Sequence, residues 1–119
     1  MPQVFARNGT WYCLFCTSGN QWSEQTRRTN PQPPVTGTHY LISDHPRGPW
    51  RIPPGPFLDG AQPCRRYAAR IVDGPYGLVI LGFADGGKAQ FGFYVMDPEP
   101  VTVGPDGLLT VTQIAKAAE

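Results

Sequence analysis

Apolar positions along the chain fall into short runs of strand length, each closed by Gly, Pro, Asn or Asp. Val4-Phe5-Ala6 leads into Arg7-Asn8-Gly9, Thr10 to Thr17 forms a second run, and His39 to Ser43 forms a third that stops at Asp44-His45-Pro46. The same order returns later. Tyr67 to Val72 leads into Asp73-Gly74, Leu78 to Ala84 follows, and Phe91 to Met96 stops at Asp97-Pro98. Asn-Gly and Asp-Gly accept the positive φ angles of tight turns, so the first two runs of each half are predicted to be antiparallel hairpins. Pro cannot donate to a ladder, so the third strand of each half is predicted to end at its Pro. Fourth strands are predicted at Trp50-Arg51-Ile52, behind Pro46-Arg47-Gly48-Pro49, and at Leu108 to Thr112, behind Pro105-Asp106-Gly107.

The pattern predicts an all-β chain: a single unit, 1–119, built from a repeat over 2–56, a second over 64–112, and a tail over 113–119. Four antiparallel strands in sequence, repeated about every fifty residues, form the plan of a β-propeller blade. A blade buries both faces against neighbours and a ring takes at least about four. Two four-stranded blades therefore make a partial propeller with two apolar faces left over, and completion by self-association or by a complementary segment is expected. Ile114 to Glu119 is read as a helical turn or a frayed end.

Composition narrows the partners. The 119 residues suit one domain, and 14 Gly and 14 Pro against 16% charged residues favour turn-rich β structure over long exposed helices. A formal charge of +1 gives no field for a polyanion, so neither nucleic acid nor an anionic membrane is an expected partner. The longest apolar stretches, such as Leu78 to Phe83, are strand-sized; no transmembrane helix or signal peptide is predicted, and the compartment stays open. Cys13 and Cys16 lie three apart in a strand and so point to opposite faces, which disfavours a local disulfide or chelate. With Cys64 remote and His39 and His45 at no ligand spacing, no metal or cofactor is expected.

Several motifs in order resemble one family. Pro2-Gln3-Val4-Phe5 with Asn8-Gly9-Thr10-Trp11-Tyr12, Ser43-Asp44 with Gly48-Pro49-Trp50, Tyr67-Ala68-Ala69-Arg70-Ile71-Val72, and Asp97-Pro98-Glu99-Pro100-Val101 with Asp106-Gly107 are similar to the five-bladed β-propeller glycoside hydrolases of families 32, 43 and 68, and most of all to the β-fructosidase-like family 32. The resemblance spans most of this chain and about two of the family's five blades. It implies action on glycosidic bonds of fructans or other oligosaccharides, with three acids at a central cavity. Those acids do not carry over: Met1 stands where the family's stabilising Asp precedes Pro2, and neither the Asn-Asp-Pro nor the Glu-Cys-Pro motif occurs. The resemblance thus implies a glycosidase-like fragment lacking its full catalytic set, or else a non-catalytic sugar-binding or structural half-propeller.

Strand direction selects a candidate face. The chain start, the loop from Ser18 to Gly37, the crossover from Gly60 to Arg66 and the loop from Asp85 to Ala89 fall at one end of the predicted sheets. Glu24 and Asp85 reach that end and are the candidate acids for a reaction that needs two carboxyl groups roughly 5–10 Å apart, with Asp59 at the limit of the same strand count. Trp22, Arg65, Arg66, Tyr67 and Asp85 are the candidate ligand-binding residues, with Arg27, Arg28 and Lys88 nearby. Aromatic rings offer apolar faces to sugar C–H groups and guanidinium forks donate to hydroxyls or carboxylates. Plainer readings stand beside these: Asp85 as a turn residue, Glu24 as a solvated charge, Trp22 as packing under a loop and the arginines as a solvated edge. Three residues apart on one strand, Tyr67 and Arg70 are expected on opposite faces, so only one can point into a central channel.

Two rival motifs are incomplete. Gly82 to Lys88 spells GxxxxGK, but Ala89 replaces the magnesium-binding Ser or Thr and a strand pattern follows instead of a helix. Ser43 precedes Asp44-His45 in a turn, without the elbow that exposes a nucleophilic serine.

Overall fold

A computed structural model of the chain describes residues 2–30, 32–62, 65–84 and 94–113. The first sheet contains β1 (Gln3–Arg7), β2 (Thr10–Thr17), β3 (Thr36–Ser43) and β4 (Asp59–Ala61), in that spatial order and antiparallel throughout. The second contains β5 (Tyr67–Gly74), β6 (Gly77–Ala84), β7 (Tyr94–Val95), β8 (Glu99–Val103) and β9 (Leu109–Val111), ordered β5-β6-β8-β9 with β7 also beside β6. The described chain is thus mostly β, with antiparallel neighbours that follow one another along the sequence in both sheets.

The first hairpin turns at Asn8 and Gly9, at φ of 54° and 84°, the tight-turn geometry predicted for Asn-Gly. The second turns two residues later than predicted: Asp73 and Gly74 stay in β5, paired with Leu78 and Gly77, and the chain reverses at Pro75-Tyr76. Pro75 fits a turn and has no N–H to give a ladder.

Other boundaries differ for equally local reasons. Trp50-Arg51-Ile52 forms no strand; Arg51 makes a single bridge to Ile42, and the fourth lane is completed by β4 at the other end of β3. Between them Pro53, Pro54 and Pro56 lack the N–H donors a continuous strand needs. Asp97-Pro98 interrupts its strand without ending it. The chain re-enters the same lane as β8, one residue out of step, so Val95 faces Phe83 while Glu99 faces Ile80. Of the predicted strand Phe91 to Met96, residues 91–93 lie outside the described residues, as do Asp85 to Ala89 and the tail Ile114 to Glu119. The predicted loop from Ser18 to Gly37 contains a short helix, α1 (Glu24–Thr29), opened by Ser23, whose Oγ accepts the Thr26 N–H at 3.1 Å.

The sheets pack face to face, β2 and β3 against β5. Tyr12, Leu14, Tyr40 and Ile42 from the first meet Ala69, Ile71, Ile80, Val101 and Leu109 from the second. Polar side chains register the layers. The Gln3 amide both donates to and accepts from the Ile71 backbone, at 2.8 and 2.7 Å, as a neighbouring strand would. The Tyr12 hydroxyl donates to the Gly107 carbonyl at 2.6 Å, and the Leu109 N–H donates to the Tyr40 oxygen at 2.9 Å. Burial pushes both tyrosine hydroxyls above their usual pKa.

Each sheet has a second face. On the second sheet, alternation sends Val72, Val79, Leu81, Phe83 and Val95 away from the core, and Val95 is 79% exposed. The outer face of the first sheet is partly roofed by the chain itself, through Trp22 and Phe57. Cys13 and Cys16 are unpaired and lie on opposite faces of β2, with the Cys13 thiol pushed up by burial.

Candidate functional site

The residues picked from the sequence separate into three places. Arg65 and Arg66 end the crossover from β4 to β5 and enter the space between the sheets. Asp59 Oδ1 takes Arg65 Nε at 2.6 Å, and Oδ2 takes Arg66 Nε at 2.6 Å. Glu99 Oε1 receives Arg65 Nη2 at 2.5 Å and also Arg66 Nη2. Arg66 Nη1 donates to the carbonyls of Ile80, at 3.1 Å, and Asp97, at 3.3 Å. Two cations face two anions, and the set is internally neutral.

This network fixes the local backbone. Arg66 has φ of 43° and its carbonyl accepts the Thr38 hydroxyl at 2.6 Å. A Cβ on Gly82 would come within 2.6 Å of Arg66 Cγ, so a glycine there leaves room for the arginine stem. Arg66 is fully buried, and the donors of its fork go to the protein. It is not an exposed sugar contact, because an internal ion-pair network has taken it; Arg65 keeps a partly exposed side chain in the same network. Asp59 is occupied likewise.

Tyr67 lies on the outer face of the second sheet. A bulge between Tyr67 and Arg70, with Ala68 at φ of 53°, sets three steps of β5 against two of β6, so Tyr67 faces Phe83 and Arg70 faces Leu81. Phe83 and Leu81 share a face. Tyr67 and Arg70 therefore also share one, against the expectation from strict alternation, because the extra residue restores the phase. The Tyr67 ring meets Phe83 edge-on at 6.5 Å. An apolar groove of about 270 Å³ on this face is lined by Ala68, Arg70, Val72, Leu81, Gly82, Phe83 and Val95.

Trp22 lies on the outer face of the first sheet. Its indole stacks on Phe57, centroids 5.2 Å apart and 4° from parallel, and its N–H donates to the Val35 carbonyl at 3.0 Å. Phe57 stacks in turn on His39. Beside this column opens a cleft of about 260 Å³, walled by Phe15, Trp22, Leu41, Ile52 and Phe57, with Thr17, Gln21, Ser23 and Thr26 also lining it. A larger depression, about 560 Å³, is lined among the described residues by Ser18, Gly19, Asn20, Pro34, Thr36 and Gln62, none of them aromatic or charged. Among the described residues the cleft thus combines apolar walls with Ser, Thr and Gln side chains, the usual build of a small-molecule site.

Glu24 is exposed at the start of α1, and Arg27 and Arg28 are exposed in its last turn. Asp85 and Lys88 lie outside the described residues. Among the described residues no group of His, Cys, Asp or Glu is arranged to hold a metal ion.

Sequence patterns assigned no site role to Phe57, Phe15 or Ile52 in the cleft or to Glu99 in the network. Glu99 was legible in principle: Glu99, Val101 and Val103 alternate as one strand face, which aligns the carboxylate with buried Val101. Phe57 lies in a Pro- and Gly-rich stretch where no periodicity assigns a direction. Comparison with protein-family models, with curated proteins and with solved structures finds no match for this chain.

Proposed function

We propose that this chain is a two-blade portion of a glycosidase-like β-propeller that binds carbohydrate without hydrolysing it on its own, the sugar occupying the Trp22–Phe57 cleft. The observation that carries the reading is the cleft's lining, in which aromatic and aliphatic walls meet Thr17, Ser23, Thr26 and Gln21. Its volume of about 260 Å³ is just under the ~300–1,000 Å³ of sites for larger ligands and suits one ring-sized group. Catalysis has less support, since Asp59 and Glu99 are bound to the same two arginines and Glu24 stands alone on a short helix. Calorimetric titration with mono- and oligosaccharides, fructans included, tests the reading. Heat is expected with at least one sugar, weakened about tenfold or more by Trp22→Ala and unchanged by Tyr67→Ala, without release of reducing ends. No heat with any sugar, or turnover by the purified chain, contradicts it.

Assembly belongs to the same proposal. The outer face of the second sheet presents Val72 and Val95 to solvent beside an apolar groove, and a second copy or complementary blades would cover it. Sedimentation is expected to show concentration-dependent association that Val95→Lys weakens; a stable monomer at all concentrations contradicts it.

A further inference from the structure

His39 lies at the inner end of the aromatic column and is 1% exposed. Its ring stacks on Phe57 at 4.7 Å and 16°, while Phe15 and Tyr40 meet it edge-on at 6.1 and 5.2 Å. Nδ1 accepts the Leu58 N–H at 3.1 Å, and Nε2 is buried with no hydrogen-bond partner. A backbone N–H can be accepted only by an unprotonated ring nitrogen, so the arrangement requires neutral imidazole with its proton on Nε2.

We propose that His39 is an acid-sensitive latch on the cleft: protonation at Nδ1 expels the Leu58 N–H, frees the adjoining Phe57 from its stack, and opens the wall that Phe57 and Trp22 form. Both nitrogens of an imidazolium are donors, so the Leu58 contact becomes donor against donor. The Phe57 face offers a buried cation some return, but it cannot accept the N–H of Leu58.

Among the described residues the surroundings supply no counter-charge. On β3 the neighbouring titratable group is Tyr40; on β2 they are Cys13, on the same face as the His39 partner Phe15 and with its thiol pushed up by burial, and Cys16, which faces the other side of the sheet, paired with Thr38. On β4 it is Asp59, whose two oxygens go to Arg65 and Arg66. Glu24, Arg27 and Arg28 on α1 are exposed. Burial accordingly lowers the His39 pKa from 6.5 to about 4. Because the closed-state value lies below that of a free ring, closure is fully favoured above pH 6.5 and weakens as the pH falls from 6.5 towards 4. Between pH 7 and pH 5 the equilibrium between open and closed wall shifts towards open by about 20-fold.

The latch deepens the proposed cleft, but its test uses no sugar, so failure of sugar binding and failure of the latch are read separately. In a Trp11→Phe/Trp50→Phe protein, Trp22 is the only tryptophan, and its emission is followed from pH 8 to pH 4.5 while far-ultraviolet circular dichroism follows the sheets. The expected result is a red shift of Trp22 between pH 7 and pH 5, the open-to-closed ratio read from it rising by about that factor, with the sheet signal unchanged. The shift should vanish in His39→Gln, whose amide oxygen still accepts from Leu58, and in His39→Phe. A red shift of the same size in both variants, no shift in the parent, or loss of the sheet signal in step with the shift overturns the latch. The His39 ring resonances in the parent give an independent reading: a midpoint well below 6 is expected, and a midpoint of 6.5 overturns it.

Discussion

Arg66→Ala is expected to cost about 3–5 kcal/mol of stability, as removal of one partner from a buried ion-pair network does. Arg66 is fully buried, and its guanidinium reaches Asp59, Glu99 and two backbone carbonyls. Removing it takes one of the two arginines from a pair of nearly buried carboxylates, and the two carbonyls lose a donor. Against a typical total of about 5–15 kcal/mol, such a loss removes a large part of the margin. The expected fall in Tm is roughly 10–20 °C. Arg65→Ala should cost less, because that side chain is 22% exposed and water replaces part of what it supplies. Thermal unfolding of the two variants side by side checks the order. Equal effects, or a loss below about 1 kcal/mol for Arg66→Ala, would show that the network contributes little beyond surface pairing.

Gly37→Ala is the second large effect, expected to cost about 3 kcal/mol or more. A Cβ at Gly37 would lie 2.2 Å from the Asp59 carbonyl oxygen, 2.6 Å from that of Arg65 and 2.7 Å from Gly60 Cα. All three are backbone atoms and cannot turn aside. Gly37 and Gly60 face each other across β3 and β4, so relief requires β4 to separate from β3, taking Asp59 out of the ion-pair network. Gly9→Ala is the informative control: its φ is +84° but its Cβ would meet nothing within 4 Å, so only the positive-φ penalty of about 1–2 kcal/mol applies. Denaturant titration of both variants separates a steric cost from a conformational one. Gly37→Ala no worse than Gly9→Ala would mean that the close approach of β3 and β4 is not maintained in solution.

How legible this molecule was depends on how local each determinant is. The strand Thr10–Thr17 and the Asn8-Gly9 turn were predicted with the bounds the structure shows, because alternation and turn chemistry act within a few residues. The fourth lane of the first sheet was misplaced because Trp50-Arg51-Ile52 and Asp59–Ala61 are equally short, and which of them pairs with β3 is settled by prolines that break the path between them. Tyr67 and Arg70 went to one face because of a bulge, which one strand's sequence does not announce.

The candidate site was less legible than the fold. Strand order put Arg65, Arg66 and Trp22 at one end of the sheets, yet it does not say which side of a sheet a loop folds onto. Glu99, 33 residues along the chain from Arg66, decided that the arginine turns inward. Phe57 decided that Trp22 lies on the outer face. Long-range partners of this kind are read from packing rather than from motif spacing.

The assignment of the ligand surface is tested most directly by amide correlation spectra recorded during titration with fructose and short fructans at pH 7. The account predicts shifts grouped at Phe15, Thr17, Trp22, Thr26 and Phe57, with the amides of Arg65, Arg66 and Tyr67 unmoved. Shifts grouped instead around Arg65 and Tyr67, or no shifts with any sugar, would contradict it.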